Sequence, residues 1–110
     1  MVDEVTPEEL KEKLDAEEPV QIIDIRPAAA FERGHIPRAI NVPMTELPGR
    51  VDEIEWEDDI VVACPIGQSS VQAAKLISSF EGVDNDAAVQ SMAGGYHAWE
   101  YGLEQRSADA

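Results

Sequence analysis

VVACPIGQSS, residues 61–70, joins a run of branched apolar residues to the only cysteine of the chain, Cys64. The next ten residues, VQAAKLISSF, carry apolar side chains at the three- and four-residue spacing of an amphipathic helix. This order predicts a buried strand that ends at Cys64, then a tight loop and a helix. Because ligands of open α/β sheets bind at the carboxyl ends of the strands, Cys64 is the first candidate for a functional residue.

The loop after Cys64 has the composition of a site that holds negative charge. Gly67 can adopt a backbone conformation that other residues disfavour, and Ser69 or Ser70 can cap the following helix. The backbone amides of residues 66–70 and the positive end of the helix dipole would then point at the sulfur and stabilise a thiolate. The pattern indicates a nucleophilic cysteine, although a lone buried cysteine can also serve as a small apolar residue. The apolar face of the helix would consist of Val71, Ala74, Ile77 and Phe80.

Strand and helix patterns alternate along the rest of the chain. Two continuous apolar runs, VQIIDI (20–25) and IVVAC (60–64), have the composition of strands buried on both faces of a parallel sheet. Weaker strand patterns occupy residues 39–42 and 87–92. Helical patterns fill the segments 27–34, 44–54, 69–80 and 94–102. This alternation predicts one α/β domain whose parallel strands are joined by right-handed crossovers.

A further helix is predicted near the start of the chain. Thr6 can cap it, Pro7 suits its first position, and Glu9 completes a capping box. Val5 and Leu10 are spaced for a hydrophobic staple across the same cap.

The length of 110 residues allows one hydrophobic core and is too short for two. We expect a single domain over residues 1–110, with a core at about 4–103 and a frayed tail at 104–110. One cysteine cannot form an internal disulfide, and it lacks metal-ligand spacing with the two histidines. We therefore expect neither a metal nor another cofactor.

Several classes of location and partner are disfavoured. The acidic N-terminus lacks the apolar segment of a secretory signal, and no apolar run approaches the roughly 20 residues of a membrane span. These features predict a cytoplasmic protein. The net charge of −15 argues against the basic patches that bind nucleic acid and against an anionic membrane surface.

The acidic residues are spread along the whole chain, and only three of the basic residues are lysines (Lys11, Lys13 and Lys75). Such a surface repels itself in low salt and keeps the proteins of halophiles soluble. We therefore expect a salt-loving source organism, a haloarchaeon. An acidic protein from a mesophile is the alternative.

Four motifs resemble those of the rhodanese family. CPIGQSS (64–70) is similar to the family's active-site loop, C-x-x-G-x-R-S, and IIDIRP (22–27) is similar to its D-x-R strand end. FERGHIPRAINVP (31–43) is similar to the signature F-x-x-G-H-I-x-G-A-x-N-x-P, with Arg38 in place of the usual glycine. MAGGYHAWEYG (92–102) resembles the closing G-G-x-x-x-W segment, so the resemblance covers nearly the whole chain.

The resemblance implies a single rhodanese-like domain, with a central, mostly parallel sheet of about five strands flanked by helices on both faces. It also implies that Cys64 attacks a sulfane sulfur, carries it as a persulfide and passes it to a nucleophilic acceptor. The donor would be thiosulfate, a polysulfide or a protein persulfide, and the acceptor would be a thiol or a sulfur-carrier protein. The substrate-binding loop would consist of Pro65, Ile66, Gly67, Gln68, Ser69 and Ser70.

Three residues outside the loop are candidates for a supporting role. The resemblance suggests that Asp24 and Arg26 orient the chain near the site through hydrogen bonds. His35 could act as a base for the thiol, but in a G-H-I turn we expect it to hydrogen-bond to the backbone. Tyr96 and Trp99, three residues apart on a helical pattern, are expected to belong to the core.

Two further features have no assigned function. Gly94 and Gly95 either bring the backbone close to the active-site loop or permit a turn. Trp56 stands among acidic residues, so we expect it to be exposed.

The loop departs from the family pattern at Ser69, where an arginine is usual. That arginine would bind an anionic donor such as thiosulfate, because a guanidinium pairs with oxyanions through two parallel hydrogen bonds. Without it, backbone amides and hydroxyls must hold the persulfide. We therefore expect weak turnover of thiosulfate and a smaller effect on transfer from a protein persulfide.

Three other functions are alternatives to sulfur transfer. A phosphatase or arsenate reductase of the dual-specificity cell-cycle type shares the fold, but needs an arginine six residues after the cysteine, where this chain has Ser70. A non-catalytic binding module would keep the fold and dock a partner, and the presence of Cys64 disfavours it. A redox-sensing thiol would have no resolving cysteine in this chain.

The melting temperature should rise when dilute buffer is replaced by molar potassium chloride. With 23 acidic and 8 basic residues, repulsion among carboxylates weakens the fold at low ionic strength, and salt screens that repulsion. Thermal unfolding across a potassium chloride series measures the effect. A flat or falling melting temperature would contradict the halophilic interpretation and leave the assignment of Cys64 untouched.

Overall fold

Five strands alternate with five α-helices in the computed structural model, which describes residues 3–84 and 86–105. The strands are β1 (Asp3–Val5), β2 (Gln21–Asp24), β3 (Ile40–Asn41), β4 (Asp59–Ala63) and β5 (Ala88–Met92). The helices are α1 (Pro7–Asp15), α2 (Ala28–Arg33), α3 (Leu47–Arg50), α4 (Ser69–Ser79) and α5 (Gly95–Ala98). A 3-10 turn at Val51–Glu53 follows α3, so the helical segment predicted at 44–54 is two short pieces.

All strand pairs in the sheet are parallel, and the strand order is β1-β5-β4-β2-β3. The α/β class and the sheet of about five strands are thus confirmed. Strand β1 was not among the segments with a strand pattern, because Asp3 and Glu4 are exposed at the sheet edge and only Val5 is buried. Among the described residues, no helix has the length and apolar character needed to cross a membrane.

Strand β4 lies near the middle of the sheet, and both of its faces are covered. Ile60 and Val62 pack into the cluster that lies beneath α3 and α4. Val61 and Ala63 point the other way, into the cluster that contains residues from α1 and α2. This double burial explains why the strand is a continuous apolar run instead of an alternating one.

The capping box predicted at the start of α1 is present. The Thr6 hydroxyl accepts a hydrogen bond from the Glu9 amide at 3.1 Å, and the Glu9 carboxylate accepts one from the Thr6 amide at 2.9 Å. The bond from the Thr6 backbone and that from its side chain lower the pKa of Glu9. This cap fixes the direction in which the chain leaves β1.

Neither Ser69 nor Ser70 caps α4, so that prediction is wrong. Gln68 occupies the N-cap position, and its side chain forms no capping hydrogen bond. Ser70 is instead fully buried, because its side chain turns from the helix end into the protein interior. The buried face of the helix consists of Ser70, Ala73, Ala74 and Ile77, while Val71 and Phe80 are half-buried.

Two smaller expectations are also corrected. Trp56 is half-buried, because it packs against the core beneath α4 and its indole donates a hydrogen bond to the Val51 carbonyl at 2.8 Å. Glu104 exchanges two backbone hydrogen bonds with His35, so ordered pairing extends into the segment predicted to be frayed. Residues 106–110 of that segment lie outside the described residues.

The start of α5 lies directly against the loop that follows β4. A Cβ atom on Gly95 would overlap the carbonyl oxygen of Cys64 and come within 2.7 Å of the amide nitrogens of Ile66 and Gly67. A Cβ on Gly67 would lie 2.9 Å from the amide nitrogen of Gly94. Both roles considered for the glycine pair are therefore present, since Gly94 and Gly95 also have positive φ angles of 73° and 59°.

Gly95→Ala should lower the free energy of unfolding by about 2 kcal/mol, because the new methyl group overlaps backbone atoms that have little room to move. Gly49→Ala is the matched control, since a Cβ there meets no atom within 4 Å. Urea unfolding of both variants measures the difference. Equal stabilities would contradict the close packing of α5 on the loop.

Candidate active site

Cys64 follows the last residue of β4 and lies at the carboxyl end of the sheet. Its side chain is only 1% exposed. The four residues 65–68 form the loop that leads into α4, and Gly67 adopts a φ of +89° within it. Gly67 thus has the kind of backbone conformation that other residues disfavour, as its place in the loop suggested.

Three uncharged groups surround the sulfur. The amide of Gly67 donates to Sγ of Cys64 at 3.0 Å, and the amide of Ser70 donates to it at 3.3 Å. The thiol in turn donates to the hydroxyl of Ser70 at 3.2 Å. Two of the five amides expected to point at the sulfur therefore form hydrogen bonds with it. In the described part of the chain, those of Ile66, Gln68 and Ser69 do not.

The loop presents a neutral surface to solvent. Pro65, Ile66, Gln68 and Ser69 are exposed, and Ile66 is 57% exposed. None of these side chains carries a charge. They are the exposed side chains of the loop that follows Cys64, and their role in substrate binding stays a prediction.

Helix α5 holds the loop through its backbone. The amide of Tyr96 donates to the Cys64 carbonyl at 2.8 Å, and the amide of His97 donates to the Pro65 carbonyl at 2.9 Å. These two bonds fix the backbone that immediately follows the Cys64 side chain. They need the close approach that Gly95 permits.

Asp24 and Arg26 form an ion pair in which the carboxylate is fully buried and the arginine side chain is 12% exposed. Arg26 Nη2 donates to Asp24 Oδ2 at 2.8 Å and also to the Gly34 carbonyl at 2.8 Å. Burial opposes the charge of the guanidinium, but the hydrogen bonds and negative charge of Asp24 raise the pKa of Arg26. Arg26 therefore stays charged, and its hydrogen bonds connect the end of β2 to the end of α2.

Tyr96 links this ion pair to the loop. Its hydroxyl donates to Asp24 Oδ2 at 2.7 Å and accepts from the amide of Ile36 at 3.0 Å, while the Arg26 guanidinium lies 3.5 Å from its ring centroid. Burial and the negative charge of Asp24 raise the pKa of Tyr96, so the hydroxyl remains a donor. Asp24 and Arg26 thus act on the loop through Tyr96, and neither bonds to the sulfur in the described structure.

His35 is fully buried and stacks on Phe31, with ring centroids 3.8 Å apart. Its Nδ1 lies 2.8 Å from the Phe31 carbonyl, which is the backbone bond expected for this residue. Within residues 3–84 and 86–105, its Nε2 has no hydrogen-bond partner, and no bond joins it to Cys64. The geometry does not place His35 as a base for the thiol.

Two residues of the site were missed at the level of sequence. Ser91 lies 2.6 Å, oxygen to oxygen, from the Ser70 hydroxyl beneath the sulfur. The sequence indicates a role for Ser91 only through the polar side chain that it places at an inward-facing position of the strand pattern 87–92. Tyr96 was assigned to the core, and nothing in the sequence connects it to Asp24, which is 72 positions away.

Comparisons with known proteins agree with this geometry. The chain matches the rhodanese-like domain over residues 6–101. A sulfurtransferase of Allochromatium vinosum is 34% identical over 99 residues, which are 90% of this chain and 89% of that protein. A putative sulfur carrier protein of Bacillus subtilis, YrkF, is 32% identical over 76 residues, which cover 69% of this chain but only 41% of that protein.

The fold is shared with solved structures. The rhodanese-like domain protein from Staphylococcus aureus superposes with a TM-score of 0.79 at 30% identity, over 96% of this chain and all of the other. Strands β2 to β5 and Cys64, which follows β4, lie within the matched residues 6–101, whereas the edge strand β1 precedes them. This chain belongs to the rhodanese-like domain family.

Proposed function

We propose that the protein is a sulfurtransferase in which Cys64 carries a sulfane sulfur as a persulfide. The observation that carries this proposal is the pair of amide hydrogen bonds, from Gly67 and Ser70, that converge on Sγ at the end of β4. Such donors stabilise the thiolate that a nucleophilic cysteine needs. The sulfurtransferase and sulfur-carrier names of the relatives support the same reaction class.

The reaction consists of two displacements at sulfur. In the first, the Cys64 thiolate attacks the sulfane sulfur of the donor, a new S–S bond forms on Sγ, and the donor's S–S bond breaks. The bonding electrons leave with sulfite when the donor is thiosulfate, or with a thiolate when it is a persulfide. In the second, an acceptor thiolate attacks the outer sulfur, and Cys64 leaves as a thiolate.

The neutral loop favours some donors over others. Thiosulfate carries two negative charges, and the loop around Cys64 offers it amides and hydroxyls but no guanidinium or ammonium group. The persulfide group of a protein brings a single negative charge to the site. We therefore propose that a persulfide donor, with a thiol or a sulfur-carrier protein as acceptor, suits this site better than thiosulfate.

The alternatives fit the site less well. The phosphatase reaction needs an arginine six residues after the cysteine, and the residue there, Ser70, is buried beneath the sulfur. A redox sensor would oxidise Cys64, and the chain has no second cysteine with which to resolve the product. A binding module would have no use for donors converging on a thiol.

Incubation with a sulfane donor should add one sulfur atom to the intact protein, and Cys64→Ser should abolish the addition. Oxidation to a sulfinic acid adds nearly the same mass, so the product must also be tested with a thiol reductant and with cyanide. A persulfide is reduced and yields thiocyanate, whereas a sulfinic acid survives both treatments. If polysulfide, thiosulfate and a desulfurase all leave Cys64 unmodified, the proposed function is wrong.

Ser69→Arg should lower the KM for thiosulfate about tenfold, because a charge-assisted hydrogen bond is stronger than a neutral one by roughly that factor. The KM for a persulfide donor should change much less. Steady-state kinetics of both variants with both donors, at one salt concentration, make the comparison. Ser79→Arg, on an exposed position of the same helix, adds the same charge away from the loop and is the matched control.

An unchanged thiosulfate KM in Ser69→Arg would mean that the donor anion binds elsewhere. An equal gain in Ser79→Arg would assign the effect to the overall charge of −15 and not to the loop. Either result would contradict the role given to position 69.

A further inference from the structure

Ser91 occupies a position in the sheet where a polar side chain is costly. It belongs to β5, and its neighbour on the same face of that strand, Val89, packs into the apolar cluster beneath α4. Ser91 itself is 0% exposed. Burying a hydroxyl in such surroundings costs free energy unless it is hydrogen-bonded, and an alanine would fit the same space without that cost.

The Ser91 hydroxyl is the far end of a hydrogen-bonded series that begins at the reactive sulfur. Sγ of Cys64 lies 3.2 Å from Oγ of Ser70, and that oxygen lies 2.6 Å from Oγ of Ser91. All three side chains are at most 1% exposed. Water therefore does not compete for these contacts at the surface, and the series is held by α4 on one side and β5 on the other.

The hydroxyl protons fit one charge state of the sulfur better than the other. When Cys64 is a thiolate, Ser91 donates to Ser70 and Ser70 donates to the sulfur, so both protons are used. When Cys64 is a thiol it donates to Ser70, which turns to donate to Ser91. In the part of the chain that the structure describes, the Ser91 proton then has no second acceptor.

We propose that Ser91 is a positioning residue for Cys64, and that its hydroxyl holds Ser70 in the orientation that donates to the thiolate sulfur. This inference rests on the proposed sulfur transfer. Sγ carries negative charge twice in that cycle. The first time is when the thiolate attacks the donor, and the second is when the acceptor takes the outer sulfur and Cys64 is released as a thiolate. The series supplies a neutral donor at both moments in a loop with no cation of its own.

The alkylation rate of Cys64 with iodoacetamide, followed from about pH 5 to pH 10, reads out the thiolate directly. In Ser91→Ala the midpoint of the profile should move upward by roughly half a pH unit or more, since one polarising hydrogen bond is lost. Ser70→Ala should move it at least as far. Ser79→Ala, on the exposed face of α4, should leave the profile unchanged.

The double variant Ser70→Ala/Ser91→Ala separates positioning from mere packing. If Ser91 acts through Ser70, the double variant should match Ser70→Ala alone, because no hydroxyl remains for Ser91 to orient. A Ser91→Ala profile that overlays the parent overturns the proposal. Additive shifts in the double variant overturn it too, because Ser91 would then act on the sulfur by another route.

Melting temperatures of all variants show whether each one folds. If Ser91→Ala does not fold, Ser70→Ala removes the same Ser70–Ser91 hydrogen bond from the side of α4. The alkylation profile needs no sulfur donor, so it is independent of the persulfide experiment. Failure of the parent protein to take up sulfur would count against the proposed function. An unchanged profile in a protein that does take up sulfur would count against Ser91 alone.

Discussion

The contact between the backbone of α5 and the loop after β4 is the constraint on which the site depends. Only a glycine at position 95 lets the Tyr96 amide reach the Cys64 carbonyl at 2.8 Å. That bond places the Tyr96 side chain against Asp24 and Arg26. The ion pair is thereby connected to the loop through Tyr96, although in the described structure neither of its members bonds to the sulfur. Loss of the close contact would disconnect the loop from its support.

The surface of this protein is strongly acidic, whereas the groups that bond to the Cys64 sulfur are uncharged. The surface carries most of the 23 acidic residues, whereas the sulfur is surrounded by two amides and a hydroxyl. Arg26 contacts Tyr96 beside the loop, but its guanidinium is bonded to Asp24 and to the Gly34 carbonyl. It cannot turn toward a substrate without leaving a buried carboxylate unpaired, which is costly. The site must therefore stabilise the sulfur with neutral dipoles.

The sequence predicted the parts of the fold that depend on local patterns. The apolar run of β4, the glycine at position 67 and the capping box of α1 are each encoded by neighbouring residues, and each occurs in the structure. The failures concern contacts between distant segments. A serine at a helix start can cap the helix or turn into the interior, and only the position of β5 decides that Ser70 does the latter. The exposed acidic strand β1 is likewise defined by its partner and not by its own residues.

Salt links the acidic surface to the neutral loop. At about 1 M ionic strength the screening length falls to about 3 Å, so an exposed guanidinium at position 69 would lose much of its attraction for an anion. Buried amides and hydroxyls act on the sulfur at contact distance and out of reach of mobile ions, so their effect is retained. The loss of substrate attraction that follows from having Ser69 in place of arginine is therefore smallest in concentrated salt. Concentrated salt is also the condition in which repulsion among the surface carboxylates is best screened.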